Sequence, residues 1–132
     1  MTNGSHPFRA AVEAGDHEAI AALLAENVVF TSPVAFKPYE GKPLTAAILR
    51  AVFRVFEDFR YVREFGDGAD HALVFRATVA GKEITGCDFL HTDADGLIDD
   101  FMVMVRPLSA AKALSEAMAA EFDQVRREVA GV

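Results

Sequence analysis

The sequence is poor in the residues that most often advertise a function. It holds one cysteine, Cys87, in 132 residues, so no internal disulfide can form and a reducing cytoplasm is the simplest home. Positive charge is scarce: 13 Lys and Arg stand against 20 Asp and Glu, a formal net charge of −7. A phosphate backbone requires clustered positive charge, so nucleic acid is not an expected partner. No apolar run approaches the ~20 residues of a membrane helix, and Met1 to Ser5 has neither the basic nor the apolar region of a secretory leader. Gly-rich phosphate loops, Walker motifs and Gly-x-Ser-x-Gly elbows are missing, which removes nucleotide hydrolysis and serine-esterase chemistry. The histidines, His6, His17, His71 and His91, make no His-x-His or His-Glu-x-x-His pair, so neither a metal nor a cofactor is expected. Asp93-Ala94-Asp95-Gly96 places its glycine two residues too early for a calcium loop and lacks the distal Glu; a hairpin turn explains it.

What is present is a core-former. The chain is 52% hydrophobic and 25% charged, and its length suits one domain spanning residues 1–132. Ser5 and Pro7 suit the start of a first helix with Phe8, Ala11 and Val12 inward. Asp16 caps a second, with Ile20, Leu23 and Leu24 as its stripe. Val28 to Ser32 is β-branched and aromatic, a short strand stopped by Pro33. Ala35 to Gly41 is a loop or a brief extended return. After Pro43, Leu44, Ala47, Ile48, Ala51, Val52, Val55 and Phe56 recur at helical steps, leaving Arg50, Arg54 and Glu57 to solvent.

The period then changes to two. Phe59, Tyr61, Arg63 and Phe65 alternate with Arg60, Val62 and Glu64, and tight turns at 66–70, 80–82 and 93–96 lead into strands at 71–79, 83–92 and 97–106. Four strands joined by short turns make an antiparallel meander. Pro107 ends it, Ser109 caps, and Leu114, Ala117, Met118, Phe122 and Val125 mark a closing helix. The expected class is α+β: a curved antiparallel sheet, with three helices from the N-terminal half and a C-terminal helix packed on it. Such a sheet leaves a conical hollow, for which Phe8, Phe30, Phe75, Phe101 and Val103 are candidate lining.

Several strings in this order resemble the nuclear transport factor 2-like superfamily, in its SnoaL-like polyketide-cyclase and ketosteroid-isomerase branch. They are Glu13-Ala14-Gly15-Asp16, Ser32-Pro33-Val34, Tyr39-Glu40-Gly41 and Asp95-Gly96-Leu97-Ile98, spread from about Pro7 to Leu108. The resemblance implies a cone-shaped α+β barrel, a small apolar ligand and a homodimer formed through the sheet. It also implies positions for chemistry. The general base of ketosteroid isomerases corresponds to Ser32, which cannot abstract a carbon-bound proton at neutral pH. Their oxyanion-hole tyrosine corresponds to Phe8, which has no donor. Their second oxyanion donor, an aspartic acid, corresponds to Asp88. The second aspartate of the limonene-epoxide-hydrolase type would fall at Val103, so that chemistry is not expected.

Asp88 stands out without any family. A carboxylate in the middle of Ile84-Thr85-Gly86-Cys87-Asp88-Phe89-Leu90 is disfavoured unless something needs it. In an apolar hollow its pKa would rise, suiting it to donate a hydrogen bond or to act as acid or base. Otherwise it faces solvent or pairs with Arg76 or Arg106. Gly86 beside it either opens space for a ligand or lets the sheet bend. Tyr39 offers a phenolic donor at the mouth, or packs its ring on the sheet. Ser32 can hydrogen-bond a ligand, or cap the strand end. Tyr61 and Arg63 share the face of Phe59, which is open to either cavity or dimer partner. Phe56, Phe59, Met102 and Met104 read as core or dimer packing, and Cys87 as a buried or dimer-facing thiol. Two functions follow: cofactor-free proton transfer of isomerase or cyclase type through Asp88, or a non-catalytic ligand-binding or dimerisation domain.

Overall fold

The computed structural model describes residues 6–131; the expected Ser5 cap and the Met1–Ser5 stretch read for a leader lie outside them. The elements are α1 (Pro7–Glu13), α2 (His17–Ala22), β1 (Leu24–Thr31), β2 (Tyr39–Glu40), α3 (Lys42–Val55), β3 (Glu57–Asp67), β4 (Asp70–Val79), β5 (Lys82–Thr92), β6 (Ile98–Arg106) and α4 (Leu108–Ala130). His6 caps α1, its Nδ1 accepting from the Phe8 N–H at 3.0 Å. Asp16 caps α2 as expected, its carboxylate accepting from the Ala19 N–H.

The six strands run in the order β2-β1-β6-β5-β4-β3. β3 to β6 form the antiparallel meander. β1 joins it parallel to β6, and β2 adds an antiparallel edge. The sheet is therefore curved and open, with β2 and β3 as its edges. No helix among the described residues is long and apolar enough to cross a membrane.

Three local readings change. Leu24 belongs to β1 rather than to the α2 stripe, because it pairs with Ile98 in the sheet. Ser109 does not cap α4, which starts two residues earlier than that cap would place it, with Pro107 in the cap position and no side-chain bond. Arg50 is half-buried rather than left to solvent, bonding Glu128 at 2.7 Å; Arg54 and Glu57 are exposed as expected, with Arg54 bonding Glu121 at 2.8 Å so that both arginines tie α3 to α4.

The core lies where the concave face of the sheet meets α1, α3 and α4. Strand alternation sends Leu73, Phe75, Ala77 and Val79 of β4 inward, against Ala47, Ile48 and Ala51 of α3 and Leu114 of α4. β3 breaks its alternation. Tyr61 pairs with Phe75 but Arg63 pairs with Val74, a register shift that inserts a bulge between them. One inserted residue flips the face. Tyr61 stays inside while Arg63 and Phe65 turn outward, so the expected shared face is not kept.

Candidate functional site

Between the sheet and helices α3 and α4 lies a cavity of about 50 Å³. Of the residues expected around it, Phe8, Phe30, Ser32, Phe75, Asp88, Phe101 and Val103 are brought together there. Tyr39 is not. Its ring stacks on Phe30 at 6.5 Å and lies 5.9 Å from Phe122, outside the lining. Phe56 and Phe59, expected as packing alone, do line it, together with Phe53. The space is narrow because these rings interlock: Phe59 stacks on Phe75 at 5.0 Å and on Phe56 at 5.6 Å.

Asp88 projects into this apolar setting from the middle of β5. It is 6% exposed, so it neither faces bulk solvent nor pairs with Arg76 or Arg106. Its partner is Tyr61, whose hydroxyl donates to Asp88 Oδ2 at 2.8 Å. No donor among the described residues reaches Oδ1. Burial pushes the carboxyl from its ordinary 3.8 to about 7, against the smaller opposite pull of the Tyr61 hydrogen bond. The same burial, and the neighbouring carboxylate, raise the Tyr61 phenol well above 10, so it stays a hydrogen-bond donor. Arg9 lies over the Tyr61 ring at 5.9 Å and is held there by Glu13 and Glu64.

Tyr61, whose facing the sequence leaves open, is the partner of Asp88. It sits two strands from Asp88, with Phe75 and Gly86 between them in the register, and only the pairing of β3 with β4 brings the two together. Gly86 does not open space for a ligand. A side-chain carbon there would collide with the Phe75 ring and lie 2.9 Å from the Met104 carbonyl. The glycine is the seat on which Phe75 rests, and Phe75 takes up the space.

Ser32 closes the β1 end of the cavity. Its Oγ accepts from the Val34 N–H at 3.1 Å, which leaves the hydroxyl proton free for another acceptor. Cys87 points to the opposite face, and burial pushes its thiol up, which lowers its reactivity. Among the described residues no group of three or more His, Cys, Asp or Glu is placed to hold a metal ion.

An open, curved six-stranded sheet packed on four helices is the architecture of the nuclear transport factor 2-like fold. The chain belongs to the SnoaL-like family, whose domain model matches residues 6–101. It is similar, at 40% identity and a TM-score of 0.84, to a steroid delta-isomerase from Pseudomonas aeruginosa, covering 89% of this chain and 87% of that one. A bacterial protein of cystatin-like fold from Silicibacter pomeroyi is 38% identical, with a TM-score of 0.83 over 92% of this chain and 91% of its own. An NTF2-like protein from Cytophaga hutchinsonii shares the fold at 23% identity and a TM-score of 0.61, over 81% of this chain and 96% of its own. No curated protein matches the chain.

Proposed function

We propose that the protein carries out cofactor-free proton transfer on a small apolar carbonyl compound, as an isomerase or cyclase, with Asp88 as the proton carrier. The observation that carries this reading is a buried carboxyl poised near pH 7 on the wall of an apolar cavity. At that pKa the carboxylate and the acid are both populated at neutral pH, which is the condition for efficient acid–base work. The carboxylate takes a proton from the carbon beside the carbonyl, and the C–H electron pair moves to the oxygen as an enolate. The resulting acid returns the proton to another carbon of the same conjugated system, and the carbonyl re-forms. Ser32, with its hydroxyl proton free, is suited to meet the enolate oxygen. Likeness to a protein named a steroid delta-isomerase supports this class.

A non-catalytic ligand-binding domain is the second reading. It is favoured by the narrow cavity and by Ser32 and Phe8 occupying the positions at which the resemblance to ketosteroid isomerases implies a base and a phenol. Asp88→Asn decides between them. Under the first reading it abolishes proton exchange at the carbon beside the carbonyl of a bound enone, followed by NMR in deuterated water. Unchanged exchange leaves the second.

We also propose that the convex face of the sheet joins two copies. Phe65, Ala72, Phe89 and Met102 form a cross-strand row there, flanked by Val74, Cys87 and Met104. Phe65 and Met104 are more than half exposed, which leaves an apolar strip bare in one copy alone.

A further inference from the structure

Two voids in this protein share a wall. An outer cleft of about 370 Å³ is bounded by α1, α2, the end of α3 and the start of β3. Phe53 and Phe59 line both this cleft and the inner cavity that holds Asp88. Their rings meet edge to face, 5.2 Å apart at 89°, and each is half-buried. The inner cavity of about 50 Å³ is far below the ~300–1,000 Å³ of ordinary ligand sites. The outer cleft reaches that scale, and the two aromatic side chains stand between it and the inner cavity.

The cleft also has a charge pattern. Its charged or titratable lining residues are Glu13, His17 and Arg60. Glu13 is offset by Arg9, whose Nε lies 3.0 Å away. Arg60 is exposed and donates to the backbone carbonyl of Asp58 at 2.9 Å, with no carboxylate partner among the described residues. The rim therefore offers a guanidinium without a counter-charge.

We propose that Phe53 and Phe59 are a movable partition and that the outer cleft is the second half of the binding site. The ligand is then an elongated apolar molecule whose inner end reaches Asp88 and whose outer end carries an acidic group at Arg60. Placing a carbonyl at the inner end rests on the proton-transfer reading; the partition and the acidic end do not.

Two dyes of one ring skeleton test this: neutral N-phenyl-1-naphthylamine and its sulfonated counterpart 1-anilinonaphthalene-8-sulfonate, followed by equilibrium and stopped-flow fluorescence. Phe53→Leu and Phe59→Leu should each speed association of both dyes about fivefold or more, by removing the ring that must turn. The Met variants replace them if the Leu variants fail to fold. Val103→Phe, which fills the inner cavity, should weaken both dyes. Arg60→Gln should weaken the sulfonated dye about three- to fivefold and leave the neutral dye unchanged. Unchanged association rates in the partition variants, or a silent Val103→Phe, overturn the partition. Faster entry in Val34→Ala alone overturns it too, placing the entrance at the Ser32–Val34 end. Equal effects of Arg60→Gln on both dyes overturn the acidic end. Loss of proton exchange in Asp88→Asn is read separately, so the two proposals fail independently.

Discussion

The Tyr61 hydroxyl donates to Asp88 Oδ2 at 2.8 Å, and both residues are 6% exposed. The contact opposes the larger effect of burial on the carboxyl. Burial alone would hold Asp88 neutral over a wide range, while a donor on one oxygen stabilises the anion and brings the titration back toward neutrality. The second oxygen has no donor among the described residues.

The first consequence concerns activity against pH. If Asp88 begins the reaction as a base, the rate rises with pH and levels off above about 7. Tyr61→Phe removes the bond that favours the anion, so the inflection should move to higher pH and activity at neutral pH should fall. A pH–rate profile of the two proteins checks this. An inflection that stays in place would separate Tyr61 from the chemistry.

Stability should also depend on Asp88, with a definite sign. Its folded pKa is raised, from 3.8 to about 7. Below the lower value both states hold the proton and the group has no effect. Between the two, the unfolded chain has released its proton while the native chain keeps it, so stability falls as pH rises. Above about 7 the loss is complete. Asp88→Asn removes this slope, because an amide stays neutral and can still accept from Tyr61. Relative to the parent, the variant should gain about 3 kcal/mol more at pH 8 than at pH 5, measured by urea unfolding.

Gly86→Ala should destabilise the protein although it lies in a regular strand. The added methyl meets the Phe75 ring and the Met104 carbonyl, and overpacking of this kind costs about 1–3 kcal/mol. Phe75→Leu alone should also destabilise, by leaving space over the glycine. Combining the two should cost less than the sum, read as a coupling energy in a double-mutant cycle.

Sedimentation tests the convex face. The chain should run at twice 14.3 kDa at micromolar concentration. Met104→Glu or Phe89→Asp places a charge within the apolar strip and should return it to the monomer mass, without loss of helical or strand signal. A monomeric parent would remove the proposed interface.

Local pattern carried the element order because each element has its own period. The α3 stripe from Leu44 to Val55 steps by three and four, and the meander after Phe59 steps by two between glycine-rich turns. Boundaries slipped where tertiary pairing outweighed local preference. Leu24 fits a helix stripe, yet the backbone of β6 offers it a parallel partner. Arg50 looks like part of a solvated face until α4 lays Glu128 beside it. The bulge after Tyr61 left no mark in the alternation of Phe59, Tyr61, Arg63 and Phe65, because those residue types tolerate either face.

Asp88 itself was legible, since a lone carboxylate in the middle of an apolar strand conflicts with its surroundings, and such conflict is visible in one dimension. Its partner was not. The Tyr61–Asp88 bond spans β3, β4 and β5, and depends on a register that two neighbouring strands set for a third. The sequence by itself determined the α+β order, the apolar wall and the misplaced acid. Only the packed sheet decided that Phe75 lies over Gly86, that Tyr39 stays outside, and that a phenol reaches the carboxyl. Periodicity is a property of neighbours along the chain, whereas the distance between two side chains on different strands is fixed only when the whole sheet has closed on its helices.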